Sequence, residues 1–162
     1  MSHSSRLWMP RERWDALVRG EGCPVCDEVA GPGQDNSEGY FVADLQVSRL
    51  RLQREQHVPG WCVLLFRGHV REPHELSETE RIAFFEDMVR VGGALERVYA
   101  ALKINYAILG NNVPHLHAHI QPRYHGDPYP GGVVNPAAGQ SMTLKDSEAR
   151  AQIMRIRAAL TE

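Results

Sequence analysis

The run His115-Leu116-His117-Ala118-His119-Ile120-Gln121 alternates polar and apolar side chains with a period of two. On a β-strand, residues two apart share a face. The spacing therefore predicts a strand over 115–121. Three imidazoles line one side, roughly 6.5–7 Å apart, and Leu116, Ala118 and Ile120 turn into a core. Just upstream, Gly110-Asn-Asn-Val-Pro114 reads as a connector in which Asn111 and Asn112 offer amide donors.

Three kinds of chemistry use such a row. Histidine titrates near neutrality, so a neutral imidazole can attack phosphorus while a charged neighbour stabilises the developing charge. Alternatively, three histidines bind a catalytic metal and leave one position open for water. The third reading is a set of incidental surface histidines. Spacing alone leaves all three open.

Further out, Lys103 to Leu109 reads as a strand. Ser77-Glu-Thr-Glu80 is a capping box that opens a long helix to about Leu102. Ile82, Phe85, Val89, Leu95 and Val98 are expected to form its buried stripe. Gly92-Gly93 inside it costs up to ~2 kcal/mol against alanines and implies close packing against a neighbouring backbone. Gly39 to Leu45, Val47 to Glu55 and Trp61 to Arg67 read as strands. In the second, Leu50 and Leu52 take one face and Arg49, Arg51 and Gln53 the other. A short helix is expected after Pro10, and a terminal helix over 146–160 buries Ala149, Ile153, Ile156 and Leu160. Strands before and after one long helix imply an α+β fold with a mainly antiparallel sheet.

The 162 residues carry 18 basic and 20 acidic side chains, a net charge of −2, and are 43% apolar. That is a globular composition without the basic surplus of a nucleic-acid binder. No apolar run is long enough to span a membrane, and the N-terminus shows no signal-peptide pattern, so a cytoplasmic protein is expected. Cysteines number three. Cys23-Pro-Val-Cys26 is spaced for a metal; the alternatives are a redox pair, which would want a βαβ setting not evident here, or plain buried thiols. Cys62 sits in an apolar strand and reads as core. His3 reads as part of a loose start, and His57 and His125 as exposed loop residues.

His115-Leu-His-Ala-His-Ile-Gln-Pro-Arg123 resembles the histidine triad signature, His-φ-His-φ-His-φ-φ with φ apolar, departing only at Gln121. Leu109-Gly-Asn-Asn-Val-Pro114 and Val58-Pro-Gly-Trp-Cys-Val-Leu-Leu-Phe-Arg-Gly-His-Val70 extend the similarity to a bacterial branch labelled diadenosine tetraphosphate hydrolase-like. The resemblance covers roughly 23–125. It implies a five-stranded sheet with one long helix and a short C-terminal helix. On that division, 1–22 is a helical N-terminal segment, 23–125 the core domain, and 126–162 a loop and helix packed on it. The implied activity is cleavage at the α-phosphate of a purine nucleoside polyphosphate or phosphoramidate through a nucleotidyl-histidine. Nucleotidyl transfer and a non-catalytic nucleotide-binding module are the alternatives. His117 matches the family nucleophile and His119 the contact to phosphate oxygens. Asn111, Asn112 and Gln53 match substrate-binding positions. Trp61 stands where many members have histidine. A homodimer through the long helix and a shared sheet is also implied.

Galactose-1-phosphate uridylyltransferase, a cousin of that family, builds a zinc site from Cys-x-x-Cys, a distal histidine and the histidine two before its nucleophile. The resemblance implies the set Cys23, Cys26, His69 and His115 here, with His74 as rival third ligand. A closed set of four would be a structural zinc site.

Overall fold

Alternation of apolar residues along five strands turns one sheet face into a core. The computed structural model describes residues 9–137 and 141–162, so the expectation placed on His3 lies outside the described residues. The strands are β1 (Gly39–Asp44), β2 (Ser48–Gln53), β4 (Cys62–Phe66), β5 (Lys103–Ala107) and β6 (His117–Arg123), in the order β1-β2-β4-β6-β5. Each neighbouring pair is antiparallel. Two short strands, β3 (Glu55–Gln56) and β7 (Met142–Thr143), pair separately. The helices are α1 (Arg11–Val18), α2 (Pro24–Ala30), α3 (Glu78–Tyr99) and α4 (Asp146–Ala159). The class is α+β.

One face of the sheet (Tyr40, Leu50, Leu52, Leu64, Ala118, Ile120) packs under Phe84, Val91 and Leu95 of α3 and Ile153 and Ile156 of α4. The expected apolar side of α4 is buried throughout. The α3 stripe needs correction. Leu95 is buried and Val98 packs at the margin, but Ile82 (57% exposed), Phe85 and Val89 (59%) face outward. The buried row is Phe84, Met88, Val91 and Leu95, one helical face round from the expected one. Periodicity alone could not choose, because α3 carries two apolar faces. Gly92 also has a different reason from the one expected. A Cβ there would run into the Tyr106 ring and hydroxyl, so the close approach is by a neighbouring side chain, not a backbone, and Tyr106 would have to shift to admit one.

The second sheet face is covered too. Arg49 and Arg51, expected on a polar face, are only 3% and 2% exposed. Arg49 donates to Asp44 Oδ1 (2.7 Å) and the Glu28 carbonyl (2.6 Å). Arg51 pairs with Glu28 and donates to the Gln34 carbonyl (3.0 Å) and Asn36 Oδ1 (2.9 Å). Residues 28–36 thus lie over this end of the sheet, anchored by charges that burial makes dependent on their partners. Among the described residues no helix is long and apolar enough to cross a membrane.

Candidate active site and metal centre

Cys23 caps α2 and Cys26 lies in its first turn. His69 follows β4, and His115 precedes β6 rather than starting it. Backbone bonds of Leu116 to Phe66 (3.0 Å) and Val70 (2.7 Å) hold that segment beside the residues after β4. The four side chains converge, with one donor atom of each within 4.8 Å of the others. His69 Nδ1 and His115 Nδ1 are 3.3 Å apart. Cys23 Sγ and Cys26 Sγ each lie 3.5 Å from His115 Nδ1, and Cys26 Sγ lies 3.1 Å from His69 Nδ1. A tetrahedral centre with bonds of about 2.3 Å to sulfur and about 2.05 Å to nitrogen has N···N edges of about 3.3 Å and S···N edges of about 3.5 Å. The match is close.

The outer nitrogens are already committed. His69 Nε2–H donates to the Val18 carbonyl (3.0 Å) and His115 Nε2–H to the Phe66 carbonyl (2.8 Å). Both Nδ1 lone pairs therefore face inward, the tautomer a metal ligand requires. Burial pushes His115 down to about 4, so it is neutral. Burial and the adjacent Cys23 push the Cys26 thiol up to about 11, a bias that a bound cation reverses by taking the thiolate. His74 lies in a one-turn 3-10 segment outside this cluster. Cys62 is fully buried in β4, where desolvation drives its thiol far up.

His117 and His119 lie on the sheet face opposite the main core. Their rings are edge-on, 5.3 Å between centroids. His117 Nδ1–H donates to the His115 carbonyl (2.6 Å), leaving the Nε2 lone pair free. Burial lowers its pKa, so the ring is neutral at pH 7. His119 Nδ1 accepts from Trp61 Nε1–H (3.2 Å), which places its own proton on Nε2. Burial, and repulsion from His117 once that ring is protonated at lower pH, push it down to about 4. Side by side stand an unprotonated ring nitrogen and a hydrogen-bond donor.

The two histidine roles separate in space, although the sequence puts all three rings on one strand face: His115 turns inward to the cysteines. Cross-strand neighbours of His117 and His119 are Leu65 and Val63 on β4, and Ala107 on β5 pairs with His119. A groove of about 1040 Å³ runs from Ala107 over Asn105 and Gln121 to His125 and Gly132. Arg123 braces its far wall through Asp127 (2.7 Å) and the Gly132 carbonyl (2.6 Å). Asn111 and Asn112 are exposed on the connector, Asn111 beside Trp14 and Arg71 at a small cleft. Gln53 ends β2, two strands from β6, its backbone N–H bonded to the Trp61 carbonyl (3.1 Å). His57, expected as an exposed loop residue, is half-buried and its ring sits 5.4 Å from the Trp61 indole. His125 is exposed. The buried arginines and the Trp61–His119 bond are the features missed in the sequence. The acidic Asp44 and Glu28 were the available signal for the first.

An antiparallel sheet bearing paired imidazoles beside a Cys₂His₂ cluster defines a histidine-based site locked to a candidate metal centre. Residues 34–126 match the HIT domain model, and the chain belongs to the HIT domain family. A histidine triad (HIT) protein of Sinorhizobium meliloti 1021 is 28% identical with a TM-score of 0.70, the match covering 75% of this chain and 90% of that one. A histidine triad protein of Bradyrhizobium japonicum is 27% identical with a TM-score of 0.67, covering 80% and 99%. A Zn-bound histidine triad family protein of Mycobacterium smegmatis shares the fold at 18% identity and a TM-score of 0.61, covering 86% and 93%. No curated protein matches the chain.

Proposed function

We propose that the chain is a nucleotide hydrolase acting at the α-phosphate of a nucleoside polyphosphate or phosphoramidate through a nucleotidyl-His117 intermediate. The observation that carries this is the His117 Nδ1–H bond to the His115 carbonyl, which leaves Nε2 unprotonated in a partly buried ring beside a donor, His119. Nε2 forms a bond to phosphorus as the bond to the leaving group breaks. The leaving group takes that electron pair. Water then attacks the same phosphorus and gives up a proton to solvent, while the P–N bond breaks and its pair returns to Nε2. His119 Nε2–H bonds to a phosphate oxygen. Asn111 and Asn112 are assigned to the phosphates and Gln53 to the ribose of a purine nucleotide.

Cys23, Cys26, His69 and His115 are assigned to one structural zinc. It supplies a crosslink and fixes the segment that carries the carbonyl partner of His117. Zinc suits free thiols in a reducing compartment, here the cytoplasm. The open edge of β5 and the outward α3 face of Ile82, Phe85 and Val89 are assigned to a homodimer interface. Val89→Glu is expected to shift the mass in light scattering from dimer to monomer. A parent already monomeric at micromolar concentration removes the assignment.

Diadenosine tetraphosphate, diadenosine triphosphate and adenosine 5′-phosphoramidate, each incubated with the parent and with His117→Ala, test the hydrolase reading by chromatography of products. The parent is expected to release AMP and the variant to fall by about 10³-fold or more. Parental rates in the variant remove His117 from the mechanism.

A further inference from the structure

The Trp61–His119 hydrogen bond has a chemical consequence for the leaving group. Trp61 is 7% exposed and packed in a small cluster with Val58, Tyr129 and Val134, so its indole has little freedom. Its Nε1–H can only donate. His119 Nδ1, 3.2 Å away, must therefore be the acceptor. Protonating that nitrogen would set two donors against each other in a buried place, at the cost of the bond.

We propose that Trp61 is a positioning residue that holds His119 as a neutral Nε2–H donor, so that His119 binds but does not protonate the leaving group, and the enzyme favours phosphoanhydrides over phosphoramidates. This rests on the hydrolase reading above. In an anhydride, the P–O bond breaks and its electron pair departs on a phosphate oxygen, a group whose last pKa is about 6 and which leaves unprotonated at neutral pH. In a phosphoramidate, the P–N bond breaks and the pair goes to nitrogen, which has to gain a proton as it leaves. Neutral imidazole is too weak an acid to give one. The groups facing the His119 ring do not replace it. His117 on the same strand is the nucleophile, while Val63 of β4 and Ala107 of β5 are apolar. The His57 ring sits at a tilt against the indole itself, 5.4 Å between centroids. The low pKa of His119, produced by burial and His117, points the same way.

Two readouts test this on the intact protein. Imidazole ¹H–¹⁵N correlation spectra of the parent at pH 7 are expected to show the His119 proton on Nε2. In Trp61→Phe the His119 tautomer signals should shift toward a mixture, with those of His117 in place. A proton on His119 Nδ1 in the parent overturns the proposal. Alongside, kcat/KM is measured for diadenosine tetraphosphate and adenosine 5′-phosphoramidate. The parent is expected to favour the anhydride by about 100-fold or more, the scale of a missing general acid. Trp61→His, which restores a titratable donor, should raise the phosphoramidate-to-anhydride ratio about tenfold or more. Equal use of the two substrates by the parent overturns the leaving-group preference whatever the variants do. Release of AMP from neither, with the tautomer as stated, overturns the hydrolase reading and the preference with it, while the Trp61–His119 pairing stands.

Discussion

Asp87 is the side chain whose loss the fold should feel most. It is fully buried on α3, yet it accepts from the backbone N–H groups of Gln46 (3.1 Å) and Val47 (3.0 Å) and from the Ser48 hydroxyl (2.5 Å). One carboxylate thus ties the β1–β2 turn to the helix above it. Asp87→Ala leaves two buried N–H groups without acceptors, and the expected loss is about 2–4 kcal/mol in urea unfolding. Asp87→Asn keeps the shape and one acceptor oxygen, so it should lose less. A loss below about 0.5 kcal/mol in the alanine variant would mean that water replaces the carboxylate. At this scale the sequence was legible where residues bearing the chemistry lie close along the chain. Cys23 with Cys26, and His117 with His119, announce themselves by spacing. Asp87 with Val47, or Trp61 with His119, meet across 40 and 58 residues. No local pattern marks such a pair.

Element ends follow local rules more faithfully than element faces. The start of α3 was legible because Ser77 and Glu80 satisfy each other: the Glu80 N–H donates to Ser77 Oγ (3.3 Å), and Ser77 N–H donates to Glu80 Oε2 (3.2 Å). Its other end breaks a rule. Ala100 ends the helix in the left-handed region at φ 49°, a conformation that favours glycine. The side chain is exposed, so nothing opposes its removal. Ala100→Gly is therefore expected to raise stability by about 0.5–1 kcal/mol, read as a rise in Tm of about 1–4 °C. A fall would show that the greater freedom of glycine in the unfolded chain outweighs the relieved strain. The faces were harder. Alternating Leu and Arg in β2 looks like a half-solvated strand, and only the fold of residues 28–36 over Arg49 and Arg51 makes both faces buried. The outward stripe of α3 has the same period as the inward one, so its phase is decided by what packs on it.

Across the whole molecule, two sets of contacts help hold the N-terminal segment to the His117 side of the sheet. The buried arginines of β2 grip residues 28–36 through Glu28, Gln34 and Asn36. The Cys₂His₂ cluster ties α2 to the segments after β4 and before β6, and His69 reaches α1 through the Val18 carbonyl. None of these ties touches the core under α3 and α4, so metal removal should act unevenly. After chelation, hydrogen exchange is expected to rise sharply in residues 11–30, while β4, β6 and α3 stay protected. Metal analysis of the parent should give about one zinc per chain, and Cys23→Ser should lower that content. Zinc should raise Tm with its free concentration, because the fold brings all four side chains together and the unfolded chain does not. His117 should feel the loss indirectly. Its carbonyl partner belongs to His115, so a freed His115 segment loosens the bond that keeps Nε2 unprotonated. AMP release should fall on chelation and return with added zinc. If activity and exchange are unchanged in protein shown to be metal-free, the other contacts of the segment, those of Arg49 and Arg51 among them, are enough to set it, and the cluster is a passive group of thiols and imidazoles.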